Sequence, residues 1–154
     1  MNYLNQIARN EILMSAGLSW LIAQIIKTII HLFVTRKFVA ERLVGSGGMP
    51  SCHSATVCAL TVSVLINCGL SSPEFAISFI VAIVVMYDAG GVRYETGIQA
   101  KVLNEMMEIF DNLGKGINSE EKLKELIGHT PLQVFVGGVL GITVSLIYCL
   151  FIII

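Results

Sequence analysis

Two histidines stand at polar breaks in an otherwise apolar chain, each at the start of a helix-forming run. His53 lies in Gly45-Ser-Gly-Gly-Met-Pro-Ser-Cys-His-Ser-Ala55, and His129 directly precedes Thr130-Pro-Leu-Gln133. Glycines such as Gly48 let backbone N–H groups approach a ligand, and a helix N-terminus adds unbonded N–H donors and a positive dipole. Such a turn, with the hydroxyl of Ser51, suits a phosphate or another oxyanion, and His53 is placed to move a proton. Cations accompany it. Lys27 lies four residues before His31 on one helical face, Arg42 sits in a basic loop with Arg36 and Lys37, and Arg93 closes Asp88-Ala-Gly-Gly-Val-Arg93. Phosphoryl transfer through a phosphohistidine needs these parts: a nucleophilic imidazole, a second imidazole as acid for the leaving group, and cations around the equatorial oxygens. Lysine and arginine can supply that charge themselves. No His/Asp/Glu cluster has metal-ligand spacing, so neither a metal nor another cofactor is expected.

Each feature also has a plainer reading. The glycine-rich stretch can simply begin a membrane helix. Lys27 can snorkel to the interface. Asp88 and Arg93 can pair to close a helix end, where otherwise the arginine would clamp an anion and the aspartate orient a histidine.

The elements that must position these residues follow from composition. The chain has 154 residues, 55% hydrophobic and 14% charged, with a mean hydropathy of +0.77. Soluble domains carry roughly 45–50% apolar and about 25% charged residues, so this is an integral membrane protein. The expectation is a single all-α domain over residues 1–154, a helical bundle of about four apolar helices plus one or two amphipathic interfacial helices. A net charge of −1 gives no reason to expect nucleic acid. Cys52, Cys58, Cys68 and Cys149 form no zinc-type pattern, and the last three sit in apolar runs as small buried hydrophobes. The polar first ten residues argue against a cleaved signal peptide.

In order, residues 1–10 are polar, and 12–34 are long enough to cross a bilayer, which takes about 20 residues. Residues 54–70 form a shorter apolar helix. Ser72 and Pro73 are a cap and a first helical residue, and 75–87 are the third apolar helix. Residues 94–113 are amphipathic, with Ala100, Leu103, Met107 and Phe110 on one face and Lys101, Glu105, Glu108 and Asp111 outside. Residues 114–119 are a loop and 120–127 a second short amphipathic helix. Thr130 and Gln133 form a capping box around Pro131, opening the last helix, which runs to Ile154. Gly137, Gly138 and Gly141 give that helix a face for close packing. The hairpin of the second and third helices returns Asp88 and Arg93 to the side of the glycine-rich turn. Arg36, Lys37, Arg42, Arg93, Lys101, Lys115, Lys122 and Lys124 all fall on that side, which the positive-inside rule makes cytoplasmic.

Four stretches together resemble the divergent branch of the type 2 phosphatidic acid phosphatase superfamily, related to acid phosphatases and vanadium haloperoxidases. They are Gly47-Gly-Met-Pro-Ser-Cys-His-Ser-Ala55, Tyr87-Asp-Ala-Gly-Gly-Val-Arg93, Gly97-Ile-Gln-Ala-Lys-Val-Leu-Asn104 and Gly128-His-Thr-Pro-Leu132. The resemblance covers nearly the whole chain. It implies that Ser51 is the phosphate-binding serine, His53 the general acid, His129 the nucleophile and Arg93 the late phosphate-binding arginine. Lys27 and Arg42 are the candidates for the upstream cations. Cys52 stands where the better-known members have glycine, and Gln133 where they have the aspartate that orients the nucleophile. Asp88 and Glu95 are candidates to replace that carboxylate.

Three functions remain open on these residues. The leading one is hydrolysis of a phosphomonoester or pyrophosphate on a lipid, such as phosphatidic acid or an isoprenoid pyrophosphate. The second is non-catalytic binding of a phospholipid headgroup or inorganic phosphate. The third is a small transporter or channel subunit using Lys27 and the glycine-rich face. A chain with so few spans also makes a second copy of itself a candidate partner.

Overall fold

The computed structural model describes residues 3–36, 48–113, 123 and 128–153. They form six helices and, among the described residues, no strand: α1 (Tyr3–Ala8), α2 (Glu11–Thr35), α3 (Cys52–Cys68), α4 (Pro73–Gly90), α5 (Val92–Asn112) and α6 (Pro131–Ile153). The expected second amphipathic helix over 120–127 lies almost wholly outside the described residues.

Capping chemistry sets the helix starts, and it places most of them ahead of the apolar runs. Asn10 Oδ1 accepts the Leu13 N–H at 3.0 Å to begin α2. Ser72 Oγ accepts from Phe75 at 3.1 Å, with Pro73 in the first turn of α4. Ser51 caps α3, accepting from Ser54 N–H at 3.4 Å. Cys52 and His53 are therefore the first two residues of that helix, where the apolar pattern alone begins it at Ser54. Similarly, Asp88 belongs to the last turn of α4 and not to a loop.

Among the described residues, three helical stretches are long and apolar enough to cross a membrane: Glu11–Thr35, the α4–α5 stretch Pro73–Phe110, and Pro131–Phe151. The shorter α3 packs against α2, α4 and α6 and is the centre of the bundle. Lipid is as apolar as leucine, so helices in a bilayer associate through close packing and polar contacts. Small residues supply both here. A Cβ on Gly137 would stand 2.4 Å from the Ser51 carbonyl oxygen, and one on Gly141 would stand 2.1 Å from that of Ala55. Both contacts advance four residues per step in the same direction, so α3 and α6 run parallel. Across the α3–α4 hairpin, Thr61 Oγ1 donates to the Ser78 carbonyl at 3.1 Å. Ser19 of α2 donates to the Ala55 carbonyl at 3.1 Å.

Parallel α3 and α6 place the two histidine-bearing helix starts at one end of the bundle. Of the cysteines expected to be buried, Cys149 is buried and Cys58 half-buried, while Cys68 is exposed as the last residue of α3.

Candidate functional site

Two polar breaks are joined by backbone. Ser51 N–H donates to the Gln133 carbonyl at 3.1 Å, and His129 N–H donates to the Ala89 carbonyl at 3.0 Å. These bonds bring the rings of His53 and His129 to a centroid separation of 6.2 Å at an interplanar angle of 63°. A group able to hydrogen bond sits about 3 Å from its partner, so rings at this separation can engage one tetrahedral group together.

Lys27 enters from α2 and is only 2% exposed. Its Nζ donates to Cys52 Sγ at 3.6 Å, and the same sulfur lies 3.9 Å from His53 Nδ1. Gly48 lies over the lysine stem: its φ is +85°, and an added Cβ would meet Lys27 Cγ at 3.4 Å. The left-handed conformation and the close approach both favour glycine there. The structure thus buries the lysine within the bundle, where the plainer reading has it reaching outward along the membrane surface.

Gln133 does two jobs. The expected capping box forms, with Gln133 N–H on Thr130 Oγ1 at 3.4 Å and Thr130 N–H on Gln133 Oε1 at 3.2 Å. The same Oε1 lies 3.2 Å from His129 Nδ1. A backbone N–H can only donate, so it identifies the facing amide atom as the oxygen, and Nδ1 must then carry a proton. In the neutral ring this leaves the lone pair on Nε2, which is buried and has no hydrogen-bond partner. Burial chiefly holds the His129 pKa below the usual histidine value. The Gln133 oxygen opposes this, the charges of Lys27 and His53 add to it, and the Gly48 carbonyl opposes it again. A neutral imidazole with a free Nε2 is the form a nucleophile needs.

The remaining candidates are placed differently. Ser51 is fully buried, and its Oγ accepts from Ser54 Oγ at 3.0 Å as well as capping α3. Arg93 Nε donates to Asp88 Oδ2 at 2.5 Å, with both side chains substantially exposed. The guanidinium and the carboxylate therefore hold each other, which is the helix-end pair, and Gln133 instead faces His129. Arg42 lies outside the described residues. His31 contacts Thr35 at 3.3 Å.

α5 covers this end of the bundle. Tyr94, Gly97, Ile98 and Lys101 share one helical face and, with Gly48 and Gln133, line a cavity of about 250 Å³. Gly128 lets the loop pass against α5, since a Cβ there would stand 2.3 Å from the Tyr94 backbone. Asn104 accepts from Leu123 N–H at 3.0 Å and donates to its carbonyl at 2.9 Å, which ties α5 to the segment before His129. Lys101 and Asn104 had no visible duty in the sequence. Lys101 falls with Glu105 on the polar face, and the Asn104 partner is distant along the chain.

Fold and site together define an integral membrane helical bundle in which two histidines and a buried lysine converge at one end. The chain belongs to the Divergent PAP2 family, which matches residues 8–144. It is 39% identical over 155 residues to a protein of Bacillus subtilis (strain 168) described as an uncharacterized membrane protein, YuiD, a match covering 95% of this chain and 98% of that relative. No solved structure matches.

Proposed function

We propose that this protein is a metal-independent phosphatase acting on a membrane lipid phosphate or pyrophosphate. The observation that carries the reading is the approach of His53 to His129 beside the buried ammonium of Lys27. His129 Nε2 attacks phosphorus, the bond to the leaving oxygen breaks, and His53 supplies the proton that oxygen takes. Water then attacks the phosphohistidine, giving its proton to His53 and releasing inorganic phosphate with His129 restored. Lys27 and the Gly48 turn offset the charge on the equatorial oxygens. The cavity under α5 opens beside Gly48 and Gln133 and receives the remainder of the lipid. Among the described residues, the cations Arg36, Arg93 and Lys101 lie toward this end, which supports a cytoplasmic site.

One observation favours a second reading, non-catalytic binding of phosphate or a phospholipid headgroup. Gln133 is neutral where a carboxylate would stabilise an imidazolium. The test is phosphate release by the purified protein from phosphatidic acid and from an isoprenoid pyrophosphate, with His129→Ala and His53→Ala alongside. Release by the wild type alone supports hydrolysis. An equal background from all three sinks it, and equilibrium binding of labelled phosphate then tests the second reading.

A further inference from the structure

Threonines in these apolar helices satisfy their own hydroxyls. Thr28, Thr56, Thr61 and Thr143 each donate to the carbonyl four residues back, at 2.8, 2.7, 2.8 and 2.8 Å. The polar groups where α2, α3 and α6 meet behave differently. Ser19 donates across to the Ala55 carbonyl. Ser15 and Ser145 are 0% exposed and Gln24 is 4% exposed, and Ser15 Oγ, Ser145 Oγ and Gln24 Oε1 have no partner. Within a bilayer an unbonded polar group costs several kcal/mol. Polar side chains kept there in spite of that cost mark pathways.

These groups form a line through the bundle. Ser15, Ser19, Ala23 and Lys27 are buried at successive four-residue steps of α2, with Gln24 beside Ala23 and the exposed Glu11 one step beyond Ser15. Ser19 and Gly141 both meet Ala55. One turn further from the histidines, the same register brings Ser15, Ala59 and Ser145 to one level. The next turn brings Ser63 Oγ to Cys149 Sγ at 3.9 Å. The line therefore starts at Lys27, beside the histidines, and leads to Glu11, the first residue of α2 at the opposite end.

We propose that this seam is a transmembrane proton path, in which ordered waters bridge Gln24, Ser15 and Ser145 between Lys27 and Glu11. At the Ala55 level the packing is closest, and there the Ser19 hydroxyl is the relay: it rotates off the Ala55 carbonyl, takes a proton on an oxygen lone pair and gives its own to the next oxygen. Each hydroxyl or water takes a proton on a lone pair and passes its own to the next oxygen, so only O–H bonds form and break. Gln24 Oε1 accepts from a water and orients it. The proton moves down its gradient, and no oxidant or co-substrate is needed.

The test uses the full chain in liposomes loaded with a pH-sensitive dye, with potassium and valinomycin cancelling charge build-up. After a pH jump, wild-type vesicles equilibrate several-fold faster than protein-free ones. Ser15→Ala and Ser145→Ala remove one oxygen each with almost no change in volume, and each slows the flux toward the protein-free rate. Thr143→Val, whose parent hydroxyl is bonded within its own helix, keeps the wild-type rate. Wild-type flux equal to that of empty vesicles, or serine variants that conduct like the wild type, would overturn the proposal. The assay reads no phosphate release, so its result stands apart from that of the phosphatase reading.

Discussion

Gln133 Oε1 lies 3.2 Å from His129 Nδ1 while also accepting the Thr130 N–H. One neutral oxygen thus caps α6 and sets the proton position on the buried ring. Gln133→Glu keeps the shape and the cap but adds a charge. An opposite charge at this distance favours the protonated form. The His129 ring is therefore expected to titrate higher than in the wild type, read by NMR of ring-labelled histidine in detergent. An unmoved titration would mean that residue 133 does not face the ring in solution.

The buried His129 also has a consequence for stability. Its folded pKa lies below the ordinary value of 6.5. Above pH 6.5 the ring is neutral in both states, and its contribution is fully present. As pH falls below that, the unfolded chain takes up a proton that the folded one resists, so stability declines. The expected outcome is a melting temperature that drops from pH 7.5 to 5.5, with a smaller drop in His129→Gln. Parallel curves for the two proteins would count against a depressed pKa.

Much of this was readable from local sequence, because local chemistry decides it. Ser72-Pro73 and the Thr130–Gln133 box carry their caps within four residues, and the glycines of α6 announce a packing face through spacing alone. Contacts between distant segments were not readable. Arg93 had a choice between an anion and Asp88, and that choice depends on how α4 meets α5. The clamp from Asn104 to Leu123 joins residues 19 apart in the sequence. Ser15 and Ser145 look like ordinary small residues until the register of three helices sets them level. Cys52 showed only as a replaced glycine, and its place between Lys27 and His53 needed α2 packed against α3.

Glycine packing gives a direct check of the parallel α3–α6 pair. A Cβ at position 141 would lie 2.1 Å from a backbone oxygen, which neither helix can move without separating from the other. Gly141→Ala is expected to destabilise the protein by about 1–3 kcal/mol, the usual cost of overpacking. Gly17 has nothing within 4 Å of an added Cβ, so Gly17→Ala is expected to be neutral or to stabilise by up to about 1 kcal/mol through helix propensity. Thermal unfolding in detergent compares the two. Equal effects would contradict the α3–α6 contact.

Arg93 is the residue on which the family resemblance and the geometry pull apart. The resemblance makes it a phosphate ligand, whereas its Nε is bonded to Asp88 at an exposed helix end. Exposed ion pairs contribute about 0–1 kcal/mol, so Arg93→Ala should hardly change the melting temperature in either case. Charge exchange separates the roles. If the arginine serves only to join α4 to α5, Asp88→Arg combined with Arg93→Asp restores whatever phosphate binding or release Arg93→Ala loses. A phosphate ligand must keep its cation at position 93, so the exchanged protein would then stay as impaired as Arg93→Ala. The bond to Asp88 leads us to expect recovery, measured as labelled-phosphate affinity across the three variants and the wild type.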